Sequence, residues 1–127
     1  MNKIVIADDH QLVSSAIRGM VENFPNCEVL YEVPNGQELL NRFENKRNIP
    51  DLVLLDINMP VMDGLSFLKQ LRAQPNGKDP VVVFCTAERS IEKITEALDA
   101  GADEYVMKPF DSDIIASKFF QAGLLSA

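Results

Sequence analysis

Short apolar runs alternate along the chain with longer stretches in which apolar residues recur every three or four positions. The runs are KIVIAD (3–8), EVLYEV (28–33), DLVLLD (51–56), VVVFCT (81–86) and EYVMKP (104–109), and they predict five strands. Three are nearly unbroken apolar stretches, the pattern of strands covered on both faces, as in a parallel sheet flanked by helices. Between the runs, Leu12, Val13, Ala16, Ile17, Met20, Val21 and Phe24 fall on one side of a helix, and Leu39, Leu40 and Phe43 form a shorter stripe. Three further stripes follow: Leu65, Leu68 and Leu71; Ile91, Ile94, Ala97 and Leu98; and Ile114, Ile115, Phe119 and Phe120. Breakers stand where turns are needed, at Pro34-Asn35-Gly36, Pro60 to Gly64, Pro75-Asn76-Gly77 and Gly101, and none lengthens into a linker. With 127 residues and no internal repeat, the expectation is one domain spanning 1–127.

Five strands alternating with five helices predict an α/β, doubly wound parallel sheet with right-handed crossovers, on which ligands bind outside the carboxyl ends of the strands. The first run ends in Asp8 and Asp9, the third in Asp56, the fourth in Thr86 and the fifth in Lys108, so all would lie on one edge. Three carboxylates in one crevice repel each other. Either some stay protonated with raised pKa or a cation neutralises them. Mg2+ suits the set, because it prefers hard oxygens and is commonly held by one or two carboxylates together with a phosphate. Lys108 adds a compact positive charge and Thr86 a hydroxyl donor, which leaves an anion, best a phosphoryl group, as the missing partner. A single aspartate at a strand end is ordinarily a turn former or helix cap. Asp63 and Asp103, in turn sequences, are read that way; it is the gathering of three acids, a hydroxyl and an ammonium that points to a site.

Charge and cysteine usage narrow the function further. Nineteen acidic against twelve basic residues give a net charge of −7, the wrong sign for holding a phosphate backbone, so no direct nucleic-acid partner is expected. Cys27 and Cys85 are too few and too far apart for a disulfide framework and are read as small buried hydrophobes. With no leader-like or long apolar stretch, no membrane insertion is expected and a cytoplasmic setting fits.

In order along the chain, the acidic pair Asp8-Asp9, LLDINMPVMDG with Asp56, CTA with Thr86, Tyr105 and KPF with Lys108 together resemble the response-regulator receiver domains, and closely the single-domain chemotaxis receivers typified by CheY. The resemblance implies a flavodoxin-like sheet of order 2-1-3-4-5. It also implies that Asp56 is the phosphoacceptor, taking a phosphoryl group from a histidine of a sensor histidine kinase or phosphotransfer protein. Asp9 and Asp56 would bind Mg2+ directly, Asp8 through water, and the backbone carbonyl of Asn58 would complete the protein ligands. Lys108, before a cis proline, would hold one phosphoryl oxygen and Thr86 another. Thr86 would move inward on modification and Tyr105 would follow, passing the change to a target protein at the helix 4/strand 5/helix 5 face. Asn58 and Glu88 would flank the path of the hydrolytic water and shorten the life of the phosphoryl state. A protein of this kind catalyses only its own phosphorylation and dephosphorylation, as a monomer or weak dimer.

Some residues depart from the closest pattern. Ile57 stands where many chemotaxis receivers have an aromatic, and His10 in ADDHQLV resembles receivers joined to DNA-binding output domains. The short stretch after the fifth helix favours a stand-alone receiver, with a receiver cut from a longer regulator, or a phosphorelay intermediate, as alternatives. His10 itself is read as a helix-start residue at the pocket mouth, since the acids already suit a hard cation and imidazole prefers softer metals. An aspartate-nucleophile phosphatase is disfavoured because position 58 is Asn rather than a second Asp. A flavin carrier is disfavoured by the acidic loop DDHQ, where a phosphate cradle is needed. A constitutive scaffold is disfavoured only because every chemical part is present. On the partner face, Ile115 and Phe120 are the candidate contacts, and Phe119 and Phe120 are not expected both to face the core.

Overall fold

The computed structural model describes residues 2–44, 49–73, 80–87, 90–108 and 111–121. Five strands and five helices alternate: β1 (Asn2–Ala7), α1 (Gln11–Glu22), β2 (Cys27–Val33), α2 (Gly36–Glu44), β3 (Leu52–Leu55), α3 (Gly64–Ala73), β4 (Val81–Thr86), α4 (Ile91–Asp99), β5 (Glu104–Met107) and α5 (Ser112–Gln121). All strand pairs are parallel and the sheet order is β2-β1-β3-β4-β5, the expected flavodoxin-like arrangement.

The unbroken apolar runs follow from burial on both faces. Side chains alternate across a strand. Val5 and Ala7 of β1, Val53 and Leu55 of β3, and Val82 and Phe84 of β4 point into a core closed by Leu39, Phe43, Phe67, Leu68, Leu71 and Ala97 of α2, α3 and α4. The intervening Ile4, Ile6, Leu52, Leu54, Val83 and Cys85 point the other way, into a core closed by Ile17, Val21, Ile115 and Phe119 of α1 and α5. Edge-to-face pairs Phe43–Phe67 and Phe24–Phe119, with ring centroids 5.5 and 5.6 Å apart, brace the two layers. Both cysteines are buried and free.

The helical stripes are wider than the buried faces. Leu12 is 88% exposed and Ile91 79%, while Leu98, Ile114 and Phe120 are also exposed. Periodicity marks which residues share a side of a helix, but the sheet covers only part of that side. Ile115 is fully buried, so it cannot be a partner contact; Phe120 is exposed and Phe119 buried, as expected of that pair.

Ladder hydrogen bonds run one residue past the strands and fix the tips. The Asp8 amide donates to the Val33 carbonyl at 3.0 Å, Asp56 to Ala7 at 2.9 Å, and Lys108 to Thr86 at 2.9 Å. Residues from four strand ends are thereby held on one edge. Behind β3, α3 begins so close that a Cβ on Gly64 would lie 2.1 Å from the Asp56 carbonyl oxygen. Only glycine permits this approach. Asp63 then caps α3 by accepting from the Ser66 amide at 2.7 Å.

Candidate active site

Asp8 and Asp56 are almost fully buried and Thr86 wholly so, while Asp9 lies toward the rim. One carboxylate oxygen from each of Asp8, Asp9 and Asp56 and one nitrogen of His10 all lie within 4.8 Å of one another. Lys108 reaches in from the end of β5, its Nζ 2.6 Å from Asp8 Oδ2 and 3.4 Å from Asp56 Oδ2. The Asn58 amide donates to Asp56 Oδ1 at 3.3 Å. A cavity of about 240 Å³ opens in front of Asp56, lined by His10, Val13, Asn58, Thr86, Ala87 and Lys108. It has room for a phosphoryl group and its water.

Burial pushes the Asp56 carboxyl above the usual carboxylate range; the Lys108 charge opposes this, the neighbouring Asp8 adds to it, and hydrogen bonds from Thr86 and the Asn58 amide favour the ionised form. Lys108 is shifted up. Burial pulls its ammonium down, but the bond to Asp8 and the charges of Asp56 and Asp8 outweigh that. A single ammonium therefore faces a surplus of acid. The donor set, three carboxylates with one cation between two of them, suits a hard divalent ion.

The sequence-derived residues are brought together as follows. Asp8, Asp9, Asp56, Thr86, Lys108 and Asn58 meet at this edge. Tyr105 is half-buried against the α2-α3-α4 core. It pairs in register with Phe84, two residues before Thr86, so by strand alternation Tyr105 and Thr86 share the face toward α4. Glu88 and Pro109 lie outside the described residues. Asp103 is structural, accepting from the Val82 amide and from Arg72. His10 does open α1, but its ring stands closer to the acids than a helix-start role requires, with Nδ1 3.1 Å from Asp9 Oδ1 and 3.4 Å from Asp8 Oδ1. Ser14 is a site residue that the sequence reading misses; it is buried and donates to the Asp8 carbonyl at 3.4 Å. Its position as a polar residue within the apolar stripe of α1 is the signal that marks it.

Fold and site together define a doubly wound α/β domain with an acid-lysine pocket at the carboxyl edge of its sheet. Residues 4–119 match the response regulator receiver domain, and the chain belongs to that family. It is 35% identical to the chemotaxis protein CheY of Listeria monocytogenes over 114 residues, 89% of this chain and 91% of that one. It is 38% identical to the transcriptional regulatory protein PrrA of Mycobacterium tuberculosis over 107 residues, 84% of this chain and 43% of PrrA. A chain in the crystal structure of the CheX-CheY-BeF3-Mg2+ complex from Borrelia burgdorferi superposes with a TM-score of 0.84 at 22% identity, covering 94% of this chain and 87% of that one. Receivers bind Mg2+ at an acidic aspartate cluster, and the three aspartates gathered here suit that ion. No helix among the described residues is long and apolar enough to cross a membrane.

Proposed function

We propose that the chain is a phosphoryl switch whose acceptor is Asp56, loaded from the phosphohistidine of a sensor kinase or phosphotransfer protein, and that it works as a stand-alone chemotaxis-type receiver. The observation that carries this is the convergence of buried Asp56 with Asp8, Asp9 and the Lys108 ammonium at one small cavity. An Asp56 carboxylate oxygen attacks phosphorus as the P–N bond to the donor imidazole breaks, and the electron pair leaves with that imidazole. Mg2+, held by Asp9, Asp56 and the Asn58 carbonyl with Asp8 acting through water, would offset charge on the transferring group. Lys108, already beside Asp56, turns its ammonium to one phosphoryl oxygen, and the Thr86 hydroxyl donates to another. Thr86 lies on the face it shares with Tyr105, so its inward shift lets the half-buried ring follow and alters the α4-β5-α5 surface, where Phe120 is exposed. Asn58 and Glu88 tune hydrolysis.

The chemotaxis-type reading is supported by the 35% identity to Listeria CheY over 114 residues. On it, the protein is cytoplasmic, a monomer or weak dimer, and no enzyme beyond its own phosphorylation and dephosphorylation. Incubation with acetyl phosphate and Mg2+ followed by intact mass tests the chemistry. A phosphoryl adduct that vanishes with Asp56→Asn is expected, and no adduct with any phosphodonor would leave a scaffold. The match to less than half of PrrA favours a second reading, the receiver part of a longer transcriptional regulator, which DNA binding by the full product of its gene would establish.

A further inference from the structure

We propose that His10 is a conditional metal ligand: its Nδ1 coordinates a borderline-soft divalent ion such as Co2+, Ni2+ or Zn2+ at the acid cluster and stays out of the shell when Mg2+ is bound. This rests on the reading of that cluster as a divalent-ion site.

Ligand atoms around one ion at about 2.0–2.3 Å lie no more than about 4.6 Å apart. The chosen atoms of Asp8, Asp9, His10 and Asp56 already lie within 4.8 Å of one another, so a small side-chain adjustment closes the set. Two features aim the ring inward. The His10 amide donates to Asp8 Oδ1 at 2.9 Å, which turns the chain at that residue toward the acids. The imidazole is also spent on nothing else in the helix start: His10 is the N-cap of α1 but makes no side-chain cap hydrogen bond. By contrast, the side chains of Asn35, Asp63, Ser90 and Asp111 accept from the amides opening α2, α3, α4 and α5. With its side chain 67% exposed, the ring is free to turn either to the ion or to solvent.

The choice between the two follows from ligand chemistry. Mg2+ takes oxygens and keeps its waters, so imidazole gains nothing by displacing one. Co2+, Ni2+ and Zn2+ bind imidazole well, and for them Nδ1 replaces a water. The site then carries two coordination modes, and only one of them ties the start of α1 to the metal.

His10 is the only histidine in the chain, so any imidazole signal on a bound ion is its own. The test is proton NMR of the protein loaded with Co2+, with calorimetric titration of Co2+ and of Mg2+ into the wild type and His10→Ala. A hyperfine-shifted imidazole N–H resonance is expected in the wild type alone. The substitution should weaken Co2+ binding about tenfold while changing Mg2+ binding by no more than about twofold. Co2+ bound without a shifted imidazole resonance, or equal losses for both ions, overturns the proposal while leaving phosphorylation of Asp56 in Mg2+ intact. Mg2+ binding without Co2+ binding overturns the proposal alone, and failure of both ions to bind overturns this proposal and the reading beneath it.

Discussion

Lys108 Nζ and Asp8 Oδ2 stand 2.6 Å apart although 100 residues of chain separate them. The pair exists because β5 and β1 both end on the same edge of the sheet. Its consequence is a competition, since the ammonium neutralises part of the charge that a divalent ion would otherwise meet.

Replacing Lys108 by Met should therefore raise Mg2+ affinity while slowing chemistry. Removing a cation beside the ion's site frees Asp8 and lifts a repulsion, for an expected gain of about threefold to tenfold in Mg2+ binding. The phosphoryl oxygen loses its ammonium, and phosphorylation by acetyl phosphate should slow by about a hundredfold. Calorimetric titration and an intact-mass time course measure the two; a fall in Mg2+ affinity would sink the competition.

Asp56→Asn should stabilise the metal-free protein at neutral pH. The Asp56 pKa is raised in the folded state by burial, so folding prefers the protonated form. The ionised carboxylate then opposes folding above its folded pKa, and this penalty disappears as pH falls below the ordinary carboxylate value. Urea unfolding at pH 7 should show the variant more stable than the wild type by on the order of 1 kcal/mol, with the gap closing in acid. Saturating Mg2+ should narrow or reverse the order, because only the wild type keeps its full ligand set. A gap that widened in acid would contradict the sign.

How much of this is legible in the sequence depends on what each signal measures. Leu52 to Leu55 can be read as a central strand because continuous burial on both faces leaves no other pattern. The shared edge of Asp8, Asp56, Thr86 and Lys108 follows from parallel topology alone. Leu12, Ile91 and Ile115 depart from expectation for one reason: helical spacing gives a side, while the angle at which the sheet meets that side decides which residues it covers. The approach of His10 to the acids is illegible because it depends on the turn made by Asp8 with the His10 amide, a local geometry that composition does not encode.

Gly64→Ala tests the tight seat of α3 behind Asp56. The new methyl would meet the Asp56 carbonyl oxygen at 2.1 Å and the Phe84 ring at 3.0 Å, and backbone and a buried aromatic cannot yield cheaply. A loss of about 2–3 kcal/mol is expected in urea unfolding. The displaced Asp56 should also react more slowly with acetyl phosphate under conditions where the variant is fully folded. Unchanged stability would mean that α3 slides freely, against the geometry.

Val61 offers the opposite case, a site where the native residue is the poor choice. It lies between β3 and α3 with φ at +67°, a conformation that β-branched residues strongly resist, and its side chain is 82% exposed. The methyl groups thus contribute almost no packing to offset the strain. Glycine removes a backbone penalty of about 1–2 kcal/mol and adds back about 0.5–1 kcal/mol of chain entropy in the unfolded state. Val61→Gly should gain roughly 0.5–1 kcal/mol in urea unfolding, and Val61→Asn, which tolerates this region with less entropy to lose, a similar amount. A loss of stability in both would show that the Val61 side chain makes a contribution its exposure hides, whereas a gain accompanied by slower phosphorylation would place the strain itself in the loop's service to Asp56.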